Sequence, residues 1–295
     1  MCHRGKGRMS KPILVVGATG RVGRELVKLL VQHGESVRVA TRNPSLASSR
    51  FDNRTVHAVE FDYDRPETFA PAIAGAERVF LTVRPGDNHS DEAALPLLHL
   101  AKKAKVQRIV DLTAMGVEQD ESFMLRILEK HVESSGIPYT HLRPNWFMQN
   151  FDSGPMFADI RATGALHLPA ADASVSFVDV RDVATVGFVA LTEGGHDGKA
   201  YTLTGKESLS YFRVVEELSR VSGRSISYIP ISENSAREAL VKGGIPADLI
   251  DRWTDFYRKV RQGLCSPIRA DIESVLGRSP ILFDQYANGY AASWR

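Results

Sequence analysis

Cysteine is scarce in this chain, and the patterns that usually build metal or disulfide sites are missing. Of 295 residues only two are cysteines, Cys2 and Cys265, and one such distant pair does not indicate a disulfide framework. The sequence has no CxxC or HExxH motif and no cluster of histidine and cysteine, so we expect no dedicated metal site. Because disulfides are rare in reducing compartments, the default expectation is a cytoplasmic protein.

Long apolar segments are also missing. No uninterrupted apolar run is longer than that of Ile13–Val16, whereas a transmembrane helix needs about 18 apolar residues. The first eight residues lack the apolar segment of a secretory signal. We expect residues 1–10 to be a disordered tail, or sequence upstream of a start at Met9, and we expect no membrane association.

Neither charge sign dominates the body of the chain. The formal net charge is +2, and the first eight residues supply Arg4, Lys6 and Arg8 without an acid. Subtracting these three leaves −1 for residues 9–295, so charge gives no footprint for nucleic acid or an anionic membrane. A content of 43% hydrophobic and 24% charged residues is ordinary for a globular protein and excludes a disordered chain.

The first half of the chain alternates short, almost continuously apolar runs with amphipathic stretches. Val22, Leu26 and Leu30 lie on one face of a predicted helix. Asp64 is expected to cap a helix that has Pro66 in its first turn. Strand and helix repeated in this order predict an α/β fold with a doubly wound parallel sheet. The predicted strands are Ile13–Val16, Ser36–Thr41, Val56–Glu60, Arg78–Val83, Arg108–Leu112 and Tyr139–Leu142.

After about residue 145 the alternation becomes less regular. We expect residues 11–150 to form the main α/β domain and residues 151–295 a smaller α/β domain that caps the ligand end of the sheet. Strands between residues 175 and 205 are expected to rejoin the main sheet, so this boundary is not sharp. The predicted later elements are strands Ala200–Leu203 and Ile226–Ile229 and helices Tyr211–Val221, Ala236–Lys242 and Ala247–Lys259.

A glycine-rich turn follows the first predicted strand and opens the first predicted helix. Gly17 permits a tight turn, Gly20 lets a pyrophosphate approach the backbone, and Gly23 lets the helix pack closely on the strand. The helix N-terminus offers N–H groups and about half a positive charge to the phosphates. The alternative interpretation is a flexible turn without a ligand. The predicted dinucleotide-binding residues of this turn are Gly17, Thr19, Gly20, Arg21, Val22 and Gly23.

The end of the second predicted strand indicates which dinucleotide is bound. Folds that select NAD place an acid there, where it accepts a hydrogen bond from the ribose 2′-hydroxyl. This strand ends instead in Thr41-Arg42-Asn43-Pro44, without an acid. A guanidinium pairs with a 2′-phosphate that a carboxylate would repel. We therefore expect Arg42 to bind that phosphate and the cofactor to be NADP(H), although Arg42 as a solvated turn residue is the alternative.

Three segments together resemble the NmrA-like family of atypical short-chain dehydrogenase/reductase proteins. They are the G-x-x-G-x-x-G turn at residues 17–23, TRNP at residues 41–44 and LRPNWFMQN at residues 142–150. Segments 61–64, 135–140, 178–184 and 201–205 are similar too, and the resemblance extends from Lys11 almost to the C-terminus. It implies a Rossmann domain and a small α/β substrate domain with NADP(H) in the cleft between them. Members of the family are either reductases or NADP-sensing regulators.

The resemblance also implies which residues contact the adenosine half of the cofactor. Asp62 and Tyr63 are expected to flank the adenine. Thr82 and Val83, at the end of the fourth strand, are expected to line the adenosine. The alternative for Asp62 is that it only caps a turn.

Further positions are implied for the nicotinamide half. Thr113 follows the fifth strand, where typical dehydrogenases of the superfamily have a catalytic serine. Pro144, Asn145 and Trp146 are expected near the nicotinamide, and Thr113 and Asn145 are the candidate catalytic residues. The alternatives are that Thr113 only satisfies a strand end and that the nearby aromatic residues are core, which is their commoner fate.

The Tyr-x-x-x-Lys pair of typical superfamily members is missing. None of the eight tyrosines has a lysine four residues later. The position of the family's lysine falls near Leu125, and Lys130 lies about 140° away around the same helix. Without a strong acid the reduction of an unactivated ketone is difficult, because the developing alkoxide needs a proton.

Hydride transfer to an acceptor that needs no concerted protonation does not require the missing Tyr-x-x-x-Lys pair. Quinones, iminium ions, cationic dyes and activated alkenes belong to this class, and Thr113 or a water is expected to complete any protonation. Aromatic rings stack against flat conjugated molecules, so we expect an aromatic or conjugated small-molecule substrate. The predicted substrate pocket consists of Trp146, Phe147, Met148 and Phe151.

Two interpretations of function follow. The first is an NADPH-dependent reductase of a conjugated or aromatic small molecule, in which the cofactor supplies the hydride. The second is a non-catalytic NADP(H)-binding redox sensor that acts through a protein partner. The aromatic segment at residues 142–150 and the missing DNA-binding element favour the enzyme, as a monomer or homodimer. An epimerase or dehydratase acting on nucleotide sugars is disfavoured, because those relatives depend on the missing pair.

Overall fold

The computed structural model describes residues 11–51, 54–84 and 90–294. The expected tail over residues 1–10, which includes Cys2, lies outside the described residues. The chain divides into two compact units. The first unit extends to Arg143 and includes Val183–Tyr201, and the second consists of Pro144–Asp182 and Thr202–Arg295, as far as these are described.

The strands and helices alternate through the first unit and continue, less regularly, through the second. The strands are β1 (Ile13–Val16), β2 (Val37–Thr41), β3 (Val56–Glu60), β4 (Arg78–Thr82), β5 (Arg108–Leu112), β6 (Tyr139–Pro144), β7 (Ala165–Leu168), β8 (Ser174–Val175), β9 (Lys199–Leu203), β10 (Leu209–Ser210) and β11 (Ser227–Pro230).

The helices include short and long members. They are α1 (Arg21–Gln32), α2 (Pro44–Arg50), α3 (Phe69–Ile73), α4 (Ser90–Lys103), α5 (Met124–Ser134), α6 (Pro155–Thr163), α7 (Val180–Thr192), α8 (Tyr211–Ser222), α9 (Glu233–Lys242), α10 (Ala247–Arg261), α11 (Asp271–Leu276) and α12 (Phe283–Gly289). Turns of 3₁₀ helix lie at Pro66–Thr68, Val117–Gln119, Met148–Asn150 and Ala291–Trp294.

One seven-stranded sheet organises the first unit. Its strand order is β3-β2-β1-β4-β5-β6-β9, and the pairs from β3 to β6 are parallel. The order reverses direction between β1 and β4, which is the point where ligands bind in open sheets of this kind, outside the carboxyl ends of the strands. The predicted α/β fold with a doubly wound parallel sheet is therefore confirmed.

Burial explains why the central strands β1 and β4 are almost continuously apolar. Every residue of Ile13–Val16 is buried, and Phe80 and Leu81 in β4 are fully buried. Helix α1 packs its inner face, which includes Leu26 and Leu30, into the same unit. Strands covered on both faces have no solvent-facing positions to fill with polar residues.

Two glycines let the first turn close tightly. Gly17 has a φ of +74°, and a Cβ built on it would lie 2.2 Å from the Cγ2 of Thr82. A Cβ on Gly23 would lie 2.3 Å from the carbonyl oxygen of Gly17. The turn therefore contacts the end of β4 directly, and α1 starts against the turn without room for a side chain between them.

The second unit has its own core. Strand β11 pairs in parallel with β7, and β10 pairs antiparallel with β8. Its interior is rich in aromatic rings, among them Phe151, Phe177, Tyr211 and Phe283, whose centroids lie 5.2–6.4 Å apart in the contacting pairs. This spacing is typical of aromatic packing in protein cores.

Two of the differences from the sequence predictions have identifiable causes. The predicted cap at Asp64 is wrong: Arg65 precedes the 3₁₀ turn and no side chain caps it, because the Asp64 carboxylate binds Arg84. Helix α4 was not predicted, since Pro96 lies inside it and masks the helical pattern. Among the described residues, no helix combines the length and apolarity that a membrane span requires.

The tight first turn leads to a prediction for stability. Gly34→Ala introduces a side chain at a φ of +78° with nothing within 4 Å, so it should cost about 1–2 kcal/mol of unfolding free energy. Gly17→Ala adds a clash with Thr82, and we expect about 1–3 kcal/mol of further loss. Thr82→Ser, which removes the clashing methyl, should restore that further part in the double variant. Equal losses for the two alanine variants in urea unfolding would contradict the packing described here.

Candidate functional site

The start of helix α1 forms the first part of the site. Gly20 is its N-terminal cap residue, and no side chain caps this end. The first helical turn contains no acidic residue. The positive end of the helix dipole is therefore not compensated by a carboxylate of its own helix, and Thr19 and Gly20 beside it are exposed. Such a helix start fits an anion of the size of a pyrophosphate.

Charged side chains gather where β2 ends. Arg42 directly follows β2 and is exposed. Asp64, in the loop after β3, accepts two hydrogen bonds from Arg84, at 2.6 and 2.7 Å. These bonds hold the pKa of Asp64 below its usual value, and the charge of Arg42 adds to the effect. Asp64 is thus paired mainly with Arg84, and Arg42 is the exposed cation nearest to the end of β2.

Tyr63 joins the loop after β3 to the end of β4. Its hydroxyl donates to the carbonyl of Thr82 at 2.8 Å, and its ring packs edge-on against Phe61. The Asp62 carboxylate accepts a hydrogen bond from the backbone N–H of Asp64, which is the turn-forming role expected as the alternative for Asp62. Val83 is buried in the core of the unit. The structure therefore brings Asp62, Tyr63, Thr82 and the glycine turn to one edge of the sheet.

Thr113 lies at the same edge, one strand further along. It follows Leu112, the residue of β5 that pairs with Thr82 of β4. Its side chain is 7% exposed, and its hydroxyl donates to Oε1 of Glu129 at 2.8 Å. Its backbone N–H donates to the carbonyl of Leu142. Glu129 on α5 therefore determines how the Thr113 hydroxyl is oriented.

Glu129 is the centre of a buried ion-pair network. Its side chain has no exposed surface, and Arg143 holds both of its oxygens at 2.8 and 2.9 Å. Arg126 binds it at 3.0 Å and binds Glu133 at 2.6 Å. Burial disfavours ionisation of Glu129, but the hydrogen bond from Arg143, the charge of His141 and the hydrogen bond from Thr113 outweigh it and hold its pKa below the usual value. The carboxylate is therefore ionised at neutral pH.

A buried histidine and aspartate adjoin this network. Nδ1 of His141 lies 2.7 Å from Oδ1 of Asp111, and both residues are buried. Burial raises the pKa of Asp111, and the Asp111 hydrogen bond outweighs burial and raises the pKa of His141. In the described ranges, Asp111, Glu129 and His141 have ligand atoms within 4.8 Å of one another. Because two guanidinium groups already bind Glu129, we interpret the group as an ion-pair network.

Helix α5 has no acid-base pair in the position where the superfamily's typical members have one. Leu125 packs against the hydrophobic core of the first unit. Lys130 is 42% exposed and forms an ion pair with Glu121, which lies three residues before the helix begins. Neither residue offers a proton to the carboxyl edge of the sheet.

The segment after β6 begins the second unit. Pro144, the last residue of β6, is buried. The Asn145 amide nitrogen donates to the Ser176 hydroxyl at 2.8 Å and to the carbonyl of Cys265 at 2.7 Å. Asn145 is 6% exposed, and its backbone N–H donates to Leu203. The two protons of the Asn145 side-chain amide and its backbone N–H are therefore used within this unit.

The four predicted pocket residues divide into two pairs. Met148 and Phe151 are buried in the core of the second unit, and Phe151 has no exposed surface. Trp146 and Phe147 are half-buried. The Trp146 ring meets Phe256 of α10 edge-on, at 5.4 Å between centroids. Phe256 is 42% exposed, so Trp146 and Phe256 form an aromatic surface to which the buried Met148 and Phe151 do not contribute.

Two residues of this site, Glu129 and Phe256, were not predicted from the sequence. Glu129 follows Leu125 by four residues and so lies on the inner face of α5, which was a usable signal. Phe256 is separated from Trp146 by more than a hundred residues, and its pattern on α10 gave no sign of the contact.

Comparison with known proteins bears on the family and the fold. The profile of the NmrA-like family matches residues 9–260. An NAD(P)H azoreductase of Xenophilus azovorans is 31% identical over 96% of this chain and 99% of its own length. A (4-alkanoyl-5-oxo-2,5-dihydrofuran-3-yl)methyl phosphate reductase of Streptomyces griseus is 32% identical, with the same coverage. The crystal structure of Citrobacter sp. triphenylmethane reductase with NADP(H) has a TM-score of 0.80, at 24% identity over 95% and 99% of the two chains.

The Glu129 network predicts how stability depends on pH. The pKa of Glu129 is lower in the folded than in the unfolded chain. Its contribution to the free energy of unfolding is therefore complete above about pH 4.5 and is lost as pH falls through the folded-state pKa. Glu129→Gln leaves Arg126 and Arg143 without their shared partner and should cost about 3–5 kcal/mol at neutral pH. The gap in unfolding free energy between the two proteins should narrow below pH 4.5. A gap that widens as pH falls would refute this assignment.

Proposed function

The chain belongs to the NmrA-like family, and we propose that it is an NADPH-dependent reductase that delivers hydride to a small conjugated or aromatic acceptor. One observation carries the proposal. An uncapped helix start follows β1 through a tight glycine turn, and the neighbouring strand β2 ends in an exposed arginine without an acid. The first feature suits a pyrophosphate and the second suits a 2′-phosphate.

The residues at the carboxyl edge fit NADP(H). The turn from Gly17 to Gly23 would hold the pyrophosphate, with Thr19, Arg21 and Val22 at its sides. The loop with Asp62 and Tyr63 and the strand end with Thr82 and Val83 would hold the adenosine. When bound, the reduced dinucleotide supplies the hydride, and the protein contributes binding and orientation. The azoreductase and the triphenylmethane reductase described above are both named with such a cofactor.

Arg42 is the residue that we propose selects the phosphorylated cofactor. Its guanidinium is exposed at the end of β2, where it can form a forked pair with a phosphate. The nearby Asp64 carboxylate would repel the same phosphate, but Arg84 binds both of its oxygens. The local charge balance therefore favours NADPH over NADH.

We infer the class of hydride acceptor from the missing general acid on α5 and from the names of the similar proteins. Leu125 and the paired Lys130 provide no general acid on α5. The similar proteins are named for an azo compound, a triphenylmethane and an unsaturated furan-type ring, all of which are conjugated or aromatic. We propose that the second unit is the substrate domain and that Trp146 and Phe256, with Phe147, provide its aromatic surface. Pro144, the last residue of β6, lies two positions before Trp146 in the chain.

Arg42 and cofactor choice give a direct prediction. Arg42→Asp removes a charged hydrogen bond and adds a repulsive carboxylate, so NADPH affinity should fall by about 10- to 100-fold or more. NADH affinity should change by less than about threefold, because NADH has no 2′-phosphate. Arg50→Asp, at the end of α2, is the matched control and should leave both affinities nearly unchanged. Equal losses of NADPH and NADH affinity in calorimetry would remove Arg42 from the site.

Turnover separates the reductase from the sensor. The protein should oxidise NADPH, followed by its absorbance, with a quinone, a cationic triphenylmethane dye or an azo dye. Trp146→Ala should lower kcat/KM for these acceptors about 3- to 10-fold, because one stacking face is lost. Phe212→Ala, an exposed aromatic residue on α8, is the control. Tight NADPH binding without oxidation across the whole panel would favour the non-catalytic sensor instead.

A further inference from the structure

The single proton of the Thr113 hydroxyl is used inside the protein. A threonine hydroxyl has one O–H donor and two acceptor lone pairs. Both partners within reach of this oxygen, Oε1 of Glu129 at 2.8 Å and the carbonyl of Leu142 at 3.4 Å, are acceptors. A carboxylate bonded to two arginines is ionised and has no proton to return. The Thr113 hydroxyl therefore donates inward.

The lone pairs of the Thr113 hydroxyl oxygen receive no hydrogen bond from a side chain. In the part of the chain that the structure describes, no side-chain N–H or O–H is directed at this oxygen. Leu112, which precedes it, is paired with Thr82, and Thr82 contacts the glycine turn. Thr113 thus belongs to the row of residues at the carboxyl edge that we propose binds NADP(H).

We propose that Thr113 serves the dinucleotide site only as a hydrogen-bond acceptor, with Glu129 as the positioning residue that accepts the hydrogen bond of its hydroxyl. This inference rests on the proposed function and differs from the expectation that Thr113 donates a proton. Thr113 accepts a hydrogen bond from a donor group of the dinucleotide, such as its carboxamide N–H or a ribose hydroxyl. It gives no proton to the substrate.

This direction of the hydrogen bond narrows the substrate class. A cationic iminium carbon or dye carbon that gains a hydride, with its electron pair, becomes neutral, and no proton is needed. A quinone that gains a hydride becomes a hydroquinone anion, which takes its proton from water. An isolated ketone would yield an alkoxide beside a residue that cannot protonate it. The site therefore suits acceptors that are cationic or that give a stable anion.

The test compares Thr113→Val with Thr113→Ser in the whole protein. Valine keeps the shape but removes the hydroxyl, while Glu129 retains its bonds to Arg143. Thr113→Ala is measured in parallel, in case a methyl group set against Glu129 prevents folding. The readouts are NADPH affinity by calorimetry and the ratio of kcat for a neutral quinone to kcat for a cationic dye.

The expected results are specific. Thr113→Val and Thr113→Ala weaken NADPH binding about 3- to 10-fold, Thr113→Ser keeps it within about twofold of the wild-type value, and the kcat ratio stays constant. A proton donor would behave differently, because its loss lowers the quinone reaction alone by about 100-fold or more. Such a fall in the ratio would overturn the proposal, and so would unchanged NADPH affinity. Failure of the wild-type protein to bind NADPH would instead refute the proposed function.

Discussion

The close approach of the first turn to its neighbours is the constraint on which the rest of the site depends. Because Gly17 and Gly23 have no side chains, β1, the end of β4 and the start of α1 meet without a gap. This contact directs an uncapped helix start towards the carboxyl edge, at the place where the strand order reverses. The loops after β2, β3 and β5 then bring Arg42, Tyr63 and Thr113 to the same edge.

Most of the fold was predictable from local patterns. Strands buried on both faces must be apolar, and this sets them apart from amphipathic helices; the predicted strand over 13–16 agrees with β1, in which every residue is buried. The failures have physical causes. Helix α4 accommodates Pro96, which normally signals a helix end, and Asp64 binds an arginine twenty residues away instead of capping the next turn. A single sequence does not show whether the Asp64 carboxylate will cap the following turn or bind a distant arginine.

The residues of the site also form two groups, those that the sequence indicates and those that only the fold brings together. The glycine turn and Arg42 are contiguous in sequence, so spacing alone indicated them. Glu129 meets Thr113 and Arg143 only because α5 packs beside β5 and β6, and Trp146 meets Phe256 across more than a hundred residues. The consequence is chemical as well as structural. Thr113 was identified by its position, but the direction of its hydrogen bond depends on a partner that position could not reveal.

Hydrogen–deuterium exchange of the backbone amides, measured with and without NADPH, tests the central claim most directly. The account predicts that binding slows exchange in two short segments of the first unit, the start of α1 at residues 20–23 and the end of β2 at residues 41–43. NADH should protect the first segment and leave the second nearly unchanged, because it has no phosphate for Arg42 to hold. Protection confined to other segments, or equal protection of residues 41–43 by both cofactors, would contradict the account.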